Sequence, residues 1–286
     1  MKERAGRSSY WVISMLDPFV LRAILGVVFA SFSAPISVIM LLRGALYITP
    51  EVSHAALGGA AVGVLIQALL PAAGDPFVFA IVFCVATSII VSRVGRSGQQ
   101  ALGMMLSVSL AVSVMLYAII RSYLPIDRRI LVDSYLVSDL LLLSEMDVLS
   151  LAGASTVALI VTIMFYREFI YICFDMETAE SFGLKTGLYD SLLFTVSAIT
   201  AAVVARTMGI LLSVTLLVIP AAVSRLLARR ISMMLLASFT VEVISGLGGI
   251  AVSLLYDIPT SGAIALVSIM LFSACYLFKL VLKKQK

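Results

Sequence analysis

Apolar runs close to twenty residues long recur nine times along this chain, and that recurrence limits the fold more than any other feature. A membrane-crossing helix needs roughly 17 to 25 mostly apolar residues. The runs lie at 19–42, 52–70, 76–92, 102–120, 148–166, 190–205, 208–223, 232–255 and 262–280. The stretch 190–223 would extend about 51 Å as one helix, too long for a hydrocarbon core of about 30 Å. Two short spans joined by a tight turn at Arg206 and Gly209 resolve this. Residues 130–143, ILVDSYLVSDLLLL, carry Asp133, Ser134, Ser138 and Asp139. Burying these in lipid is expensive, so an interfacial or re-entrant segment is expected there. The fold class is therefore all-α, a polytopic bundle of about nine transmembrane helices forming a single domain, 1–286.

Composition agrees. Charged residues make up only 13% of the 286, against the quarter usual in soluble proteins, and mean hydropathy is +1.13. The net charge of +4 comes from basic residues scattered between apolar stretches, not from a continuous stripe, which excludes nucleic acid as a partner. Cys84, Cys173 and Cys275 lie far apart and form neither a disulfide framework nor a metal pair. The basic N-terminal tail runs into a full-length span without a small-residue cleavage site, so it is expected to stay attached.

Lysine and arginine concentrate in cytoplasmic loops. With the C-terminus inside, Arg43, Arg93, Arg96, Arg167, Lys185, Arg225, Arg229, Arg230, Lys279, Lys283, Lys284 and Lys286 fall on the cytoplasmic side and eight basic residues outside. Three of those eight, Lys2, Arg4 and Arg7, sit in the N-terminal tail, which nine passes place outside. The outer loop 121–147 contains Asp127, Asp133, Asp139, Glu145 and Asp147, either solvated charge or a docking surface or cation attractor.

His54 is the only histidine, near the cytoplasmic start of the second span in ITPEVSHAALGGAAVG. Thr49 is expected to cap this helix, with Pro50 at its first position and Glu51 in its positive first turn. Glu51 and His54 are three apart and share a helical face, and imidazole plus carboxylate is a ligand pair for Zn2+, Mn2+ or Fe2+. The bland alternative is a capping glutamate and a histidine bonded to a neighbouring helix. The small residues that follow, from Ala55 to Gly63, allow other helices to approach closely. Glu242 lies mid-span in SFTVEVISGLGGIAVS, where a carboxyl commonly faces a pathway or a packed polar contact. Two further segments stand out on the inner side. FDMETAESFGLKTGLYD, 174–190, is amphipathic, and in IPAAVSRLLARR, 219–230, Pro220 is expected to end a span before a short basic helix.

Taken in order, these segments resemble the permease subunits of the metal-ion (zinc, manganese, iron) branch of ATP-binding-cassette importers. Arg43, Ser53, His54, Ala55 and Gly59 fill the frame of the family's second span, and Phe174, Asp175, Glu177, Ala179 and Gly183 match its FDxExAxxxG. Its GxLLxxxLLxIPAAxxRLL is met by Gly209, Leu211, Leu212, Leu216, Leu217, Ile219, Pro220, Ala221, Ala222, Arg225, Leu226 and Leu227. Asp257, Pro259 and Gly262 match a D-x-P motif near the last span. One position departs: the family aspartate four residues before the histidine is Pro50 here, and Glu51 points about 100° further round the helix.

The resemblance implies the cobalamin and metal-chelate importer permease fold. It also implies a homodimer, or a dimer with a similar permease, around one channel, a separate cytoplasmic ATP-binding subunit, and an extracellular metal-binding lipoprotein. Divalent metal, zinc or manganese, would be cargo, with no cofactor bound permanently, and Glu51, His54 and Glu242 would line the pathway, with metal contact at Glu51 and His54. Residues 220–231, with Pro220, Arg225, Arg229 and Arg230, would couple to the ATPase, with Phe174, Asp175, Glu177 and Gly183 beside them. This chain would be no enzyme, having no Walker A pattern. Two rivals stand: a permease for a metal chelate or cobalamin, and an ion-coupled secondary carrier using Glu242. An intramembrane metalloprotease would need HExxH, which one histidine cannot supply.

Overall fold

A computed structural model describes residues 17–70, 74–94, 99–136 and 138–284. Lys2, Arg4, Arg7, Arg96 and Lys286, assigned above to one side or the other, lie outside the described residues, as do the side chains of Lys283 and Lys284. The helices are α1 Pro18–Ser31, α2 Ala34–Leu42, α3 Ile48–Leu69, α4 Pro76–Val94, α5 Gln99–Tyr123, α6 Ile126–Leu136, α7 Glu145–Met164, α8 Tyr166–Phe174, α9 Met176–Ser181, α10 Thr186–Met208, α11 Ile210–Leu227, α12 Ile231–Tyr256 and α13 Thr260–Lys284. Nine stretches among the described residues are long and apolar enough to cross a membrane, and they coincide with the nine expected.

Several boundaries move, each for a local reason. The first span bends at Phe32 and Ser33 into α1 and α2, because Pro35 has no amide hydrogen to offer the Ser31 carbonyl one turn back. The second begins at Ile48, not 52. Thr49 and Pro50 are already helical, Tyr47 occupies the capping position without a side-chain bond, and the Thr49 carbonyl instead accepts the Ser53 hydroxyl at 2.9 Å. The two spans expected to be short are full helices of 23 and 18 residues. Their turn is a single residue, Gly209, at φ +83°, where the backbone carries no Cβ penalty. Arg206 lies in the last turn of α10, stacked over the Phe77 ring at 4.3 Å and paired with Asp75 at 3.7 Å. Pro220 does not end a helix. It is buried inside α11, which runs on to Leu227, so the separate basic helix expected after it does not form.

The described residues of 130–143 do not span: they form the end of α6 and a 3-10 turn, Leu140–Leu142, that packs on α1 and α13. Asp139 caps that turn and accepts the Thr260 hydroxyl at 2.5 Å, and Asp147 completes a capping box with Ser144 at the start of α7. Asp133 accepts the Tyr117 hydroxyl at 2.6 Å. Three of the five acids in the 121–147 loop therefore hold local structure.

The first span together with α3, α10 and α11 is the most buried part of the bundle. The 59–63 GxxxG of α3 lies on α4: a Cβ on Gly59 would stand 2.7 Å from the Ala80 Cα, and one on Gly63 2.7 Å from the Pro76 Cα. With no hydrophobic force between helices in lipid, such backbone-to-backbone approach is what holds them together. Arg43, Asp190, Arg225, Arg229 and Arg230 gather at one end of the bundle, where the ends of α2 and α11 meet the start of α12 through Val38, Ala221 and Met234. Asp75, Asp139, Asp147, Arg206 and Tyr135 line a cavity of ≈ 380 Å3 at the other end.

Candidate translocation site

The first two turns of α3 carry two of the three expected pathway residues, Glu51 and His54. Glu51 is 1% exposed, and its Oε1 is buried with no hydrogen-bond partner; the Nδ1 of half-buried His54 is likewise buried and unpartnered. The backbone around them is satisfied from α5: Ser113 Oγ donates to the His54 carbonyl at 2.7 Å and Ser109 Oγ to that of Glu51 at 3.5 Å. Glu51 lines a cavity of ≈ 150 Å3 between α3, α4 and α5, with Gly58, Phe83, Met105, Ser109 and Ser113 among its neighbours. Gly58 makes room, since a Cβ there would meet the Ser113 hydroxyl at 2.7 Å. His54 is not one of the cavity's lining residues; three residues on, it sits about 60° round the helix from Glu51.

This turn is held from its far side as well. Ser53 Oγ lies 3.1 Å from Ser213 Oγ on α11, and Ser213 Oγ donates to the Ala201 carbonyl on α10 at 3.3 Å. Cys84 on α4 donates to the Val52 carbonyl at 3.3 Å. Before the helix, burial raises the Tyr47 phenol above its ordinary pKa; Arg43 opposes that shift and Glu51 adds to it.

Glu242, the third expected pathway residue, is not brought to this cavity. It is fully buried mid-way along α12, which packs on α1, α2, α11 and α13, and neither of its carboxyl oxygens has a hydrogen-bond partner. The packed polar contact considered as an alternative is therefore missing among the described residues. On the same face, Phe239 stacks on Phe32 at 5.8 Å, and a Cβ on Gly246 would collide with Val27 Cγ1 at 2.2 Å. Among the described residues no group of three or more His, Cys, Asp and Glu is close enough to hold an ion.

At the Arg43 end, the FDxExAxxxG residues have clear local roles. Asp175 caps α9, accepting the Thr178 amide at 3.0 Å, and the Thr178 hydroxyl and amide hold its carboxyl below the usual carboxylate range. Glu177 lies in the positive first turn and Ala179 is buried. Gly183, at φ +84°, ends α9 in a Schellman motif: its amide bonds Glu180 and that of Leu184 bonds Ala179. Phe174 and Phe182 are left 69% and 86% exposed on this segment. Arg225, Arg229 and Arg230 are exposed, the last two beside a groove of ≈ 460 Å3 lined by Leu227, Met233 and Leu236.

Sequence reasoning missed the Arg43–Asp190 pair. Arg43 Nε donates to Asp190 Oδ1 at 2.9 Å, and Arg43 Nη2 to Met176 Sδ at 3.4 Å. With the partners 147 positions apart in sequence, no local spacing pointed to it.

Solved and curated proteins resemble this chain in fold and in sequence. The solved PsaBC from Streptococcus pneumoniae in complex with Fab superposes with a TM-score of 0.78 at 20% identity, covering 94% of this chain and 95% of that one. A metal-chelate type ABC transporter in an inward-facing conformation superposes with a TM-score of 0.70 at 16% identity, covering 90% and 85%. In sequence, the manganese transport system membrane protein MntC of Halalkalibacterium halodurans is 26% identical over 243 residues, 84% of this chain and 80% of that one. MntB of Synechocystis is 26% identical over 266 residues, 92% and 84%. Residues 16–279 match the sequence profile of the ABC 3 transport family, and with its nine candidate spans this chain is a multi-pass membrane transport subunit belonging to that family.

Proposed function

We propose that this chain is the permease of a manganese importer driven by a separate ATP-binding subunit, with Glu51 and His54 as the metal contacts in its pathway. The observation that carries this reading is the pair of buried, unpartnered donor atoms, Glu51 Oε1 and His54 Nδ1, in one turn of α3. Leaving such groups unbonded costs stability, and a first-row divalent ion satisfies both. The relatives named for manganese select that ion from among those the donors accept. Two donors are fewer than a divalent ion takes, so a second copy of the chain, facing the first across the channel, supplies the rest. Weak, incomplete ligation within each copy suits a pathway that must release its ion.

The basic end of the bundle is cytoplasmic, by the excess of lysine and arginine there, with the N-terminus outside. Arg225, Arg229 and Arg230, with the α9 segment, dock on the ATP-binding subunit, and an extracellular lipoprotein delivers the metal. Closure of the ATPase dimer reorients the first turn of α3 between outward and inward access.

The test is uptake of Mn2+ against Zn2+ into vesicles holding this chain with its ATP-binding subunit. ATP-dependent Mn2+ uptake that falls in His54→Ala supports the reading. Uptake of neither ion, or equal uptake by His54→Ala at limiting metal, removes it.

A further inference from the structure

Arg43 stands at a corner between the segment assigned to ATPase docking and the turn assigned to the metal. It caps the C-terminus of α2, and the chain then reverses through a Schellman turn: Gly44, at φ +73°, bonds Leu41, and Ala45 bonds Met40. Five residues after Arg43, α3 begins, with Glu51 in its first turn. From this corner the guanidinium reaches Asp190 on α10 and Met176 at the start of α9. Cys173, at the end of α8 and three residues before Met176, donates to the Ile39 carbonyl at 3.6 Å and so also ties α2 to the helix that leads into α9. The side chain of Asp190 is 3% exposed and that of Arg43 23%, so solvent screens their attraction little.

We propose that the Arg43–Asp190 pair is a positioning link for transport: it transmits displacement of the α9 segment to the corner that leads into α3. The inference rests on the importer reading. A charge pair with one partner buried suits this role because stretching it leaves the buried Asp190 carboxylate without its counter-charge, a steep penalty over a short distance. The turn between Arg43 and α3 is closed by its own backbone bonds, so the corner moves as a unit. Met176 ties the guanidinium to α9 itself, and Asp190 ties it to the helix that follows α9.

The experiment uses the complete complex with its ATP-binding subunit in vesicles and reads Mn2+ ions moved per ATP hydrolysed. Alongside the ratio, the ATPase rate and thermal midpoint of each variant are recorded. Arg43→Gln and Asp190→Asn are each expected to lower the ratio about tenfold, within the usual range of coupling between sites, while ATP hydrolysis continues. The charge swap Arg43→Asp with Asp190→Arg is expected to recover a substantial part of that loss. An unchanged ratio in both single variants overturns the link. So does a swap that restores the thermal midpoint and the ATPase rate but not the ratio, since the pair then serves only to hold the fold. Absence of ATP-dependent uptake in the unaltered complex is a separate outcome, which removes the importer reading on which the link depends.

Discussion

Glu51 and Glu242 are both buried carboxyls in spanning helices, yet their surroundings differ in kind. Glu51 lies in the first turn of α3, where the positive end of the helix favours an acid, and it borders a cavity that continues to Ser109 and Ser113. Glu242 is mid-helix, on a face that Phe239, Gly246 and Gly249 press against α1, α2 and α13. An acid beside open space can meet a passing ion. An acid in a closed seam can only strain it, and burial by itself does not separate the two cases.

Uptake separates the two acids most clearly. His54→Ala and Glu51→Gln are expected to reduce Mn2+ uptake at limiting metal by about tenfold or more, by loss of a ligand. Glu242→Gln is expected to leave uptake within about twofold. A matching loss in Glu242→Gln would place both acids on one pathway and erase the distinction. Next comes Gly249→Ala, whose Cβ would lie 2.4 Å from the Ile264 Cα; about 1–3 kcal/mol of stability should be lost on thermal unfolding in detergent. Gly262→Ala, with nothing within 4 Å of the added Cβ, serves as its partner and should cost no stability, since helix propensity favours alanine.

Replacing the seam's acid by an apolar residue of similar shape sharpens the contrast further. Glu242→Met is expected to raise stability by about 1 kcal/mol, because an unbonded buried polar group is removed and its volume kept. Glu51→Met is expected to lower Mn2+ uptake at limiting metal as Glu51→Gln does. Away from both acids, Gly183→Ala should cost about 1 kcal/mol, since a Cβ is disfavoured at φ +84°. The smallest effect concerns acid. Asp175 is held below its ordinary 3.8, so its capping contribution is complete above that value and is lost as pH falls through the lower folded value. Amide exchange across α9 should therefore quicken only at strongly acidic pH, and Asp175→Ala should remove that dependence.

How much of this was legible beforehand differs by feature. Nine spans were legible because a helix crossing lipid must be apolar over a nearly fixed length. The turn at Gly209 and the close seam at Gly59 and Gly63 were legible as residue types, since each is a local steric requirement, whereas the caps at Asp175 and Gly183 emerged only with the structure. Pro220 misled. Buried between neighbours, it sits within α11, where packing along the whole helix outweighs one missing backbone bond. Thr49 misled as well, because helical geometry one residue earlier turned a candidate cap into an acceptor for Ser53.

By itself, the sequence determined the class, the number of spans and the turn that carries Glu51 and His54, because hydropathy and local spacing govern those. Only the tertiary structure decided that Glu51 borders a cavity while Glu242 closes a seam, and that Arg43 meets Asp190 across 147 residues. Those facts depend on which helices lie side by side, and contact between distant segments follows from packing, not from any period along the chain.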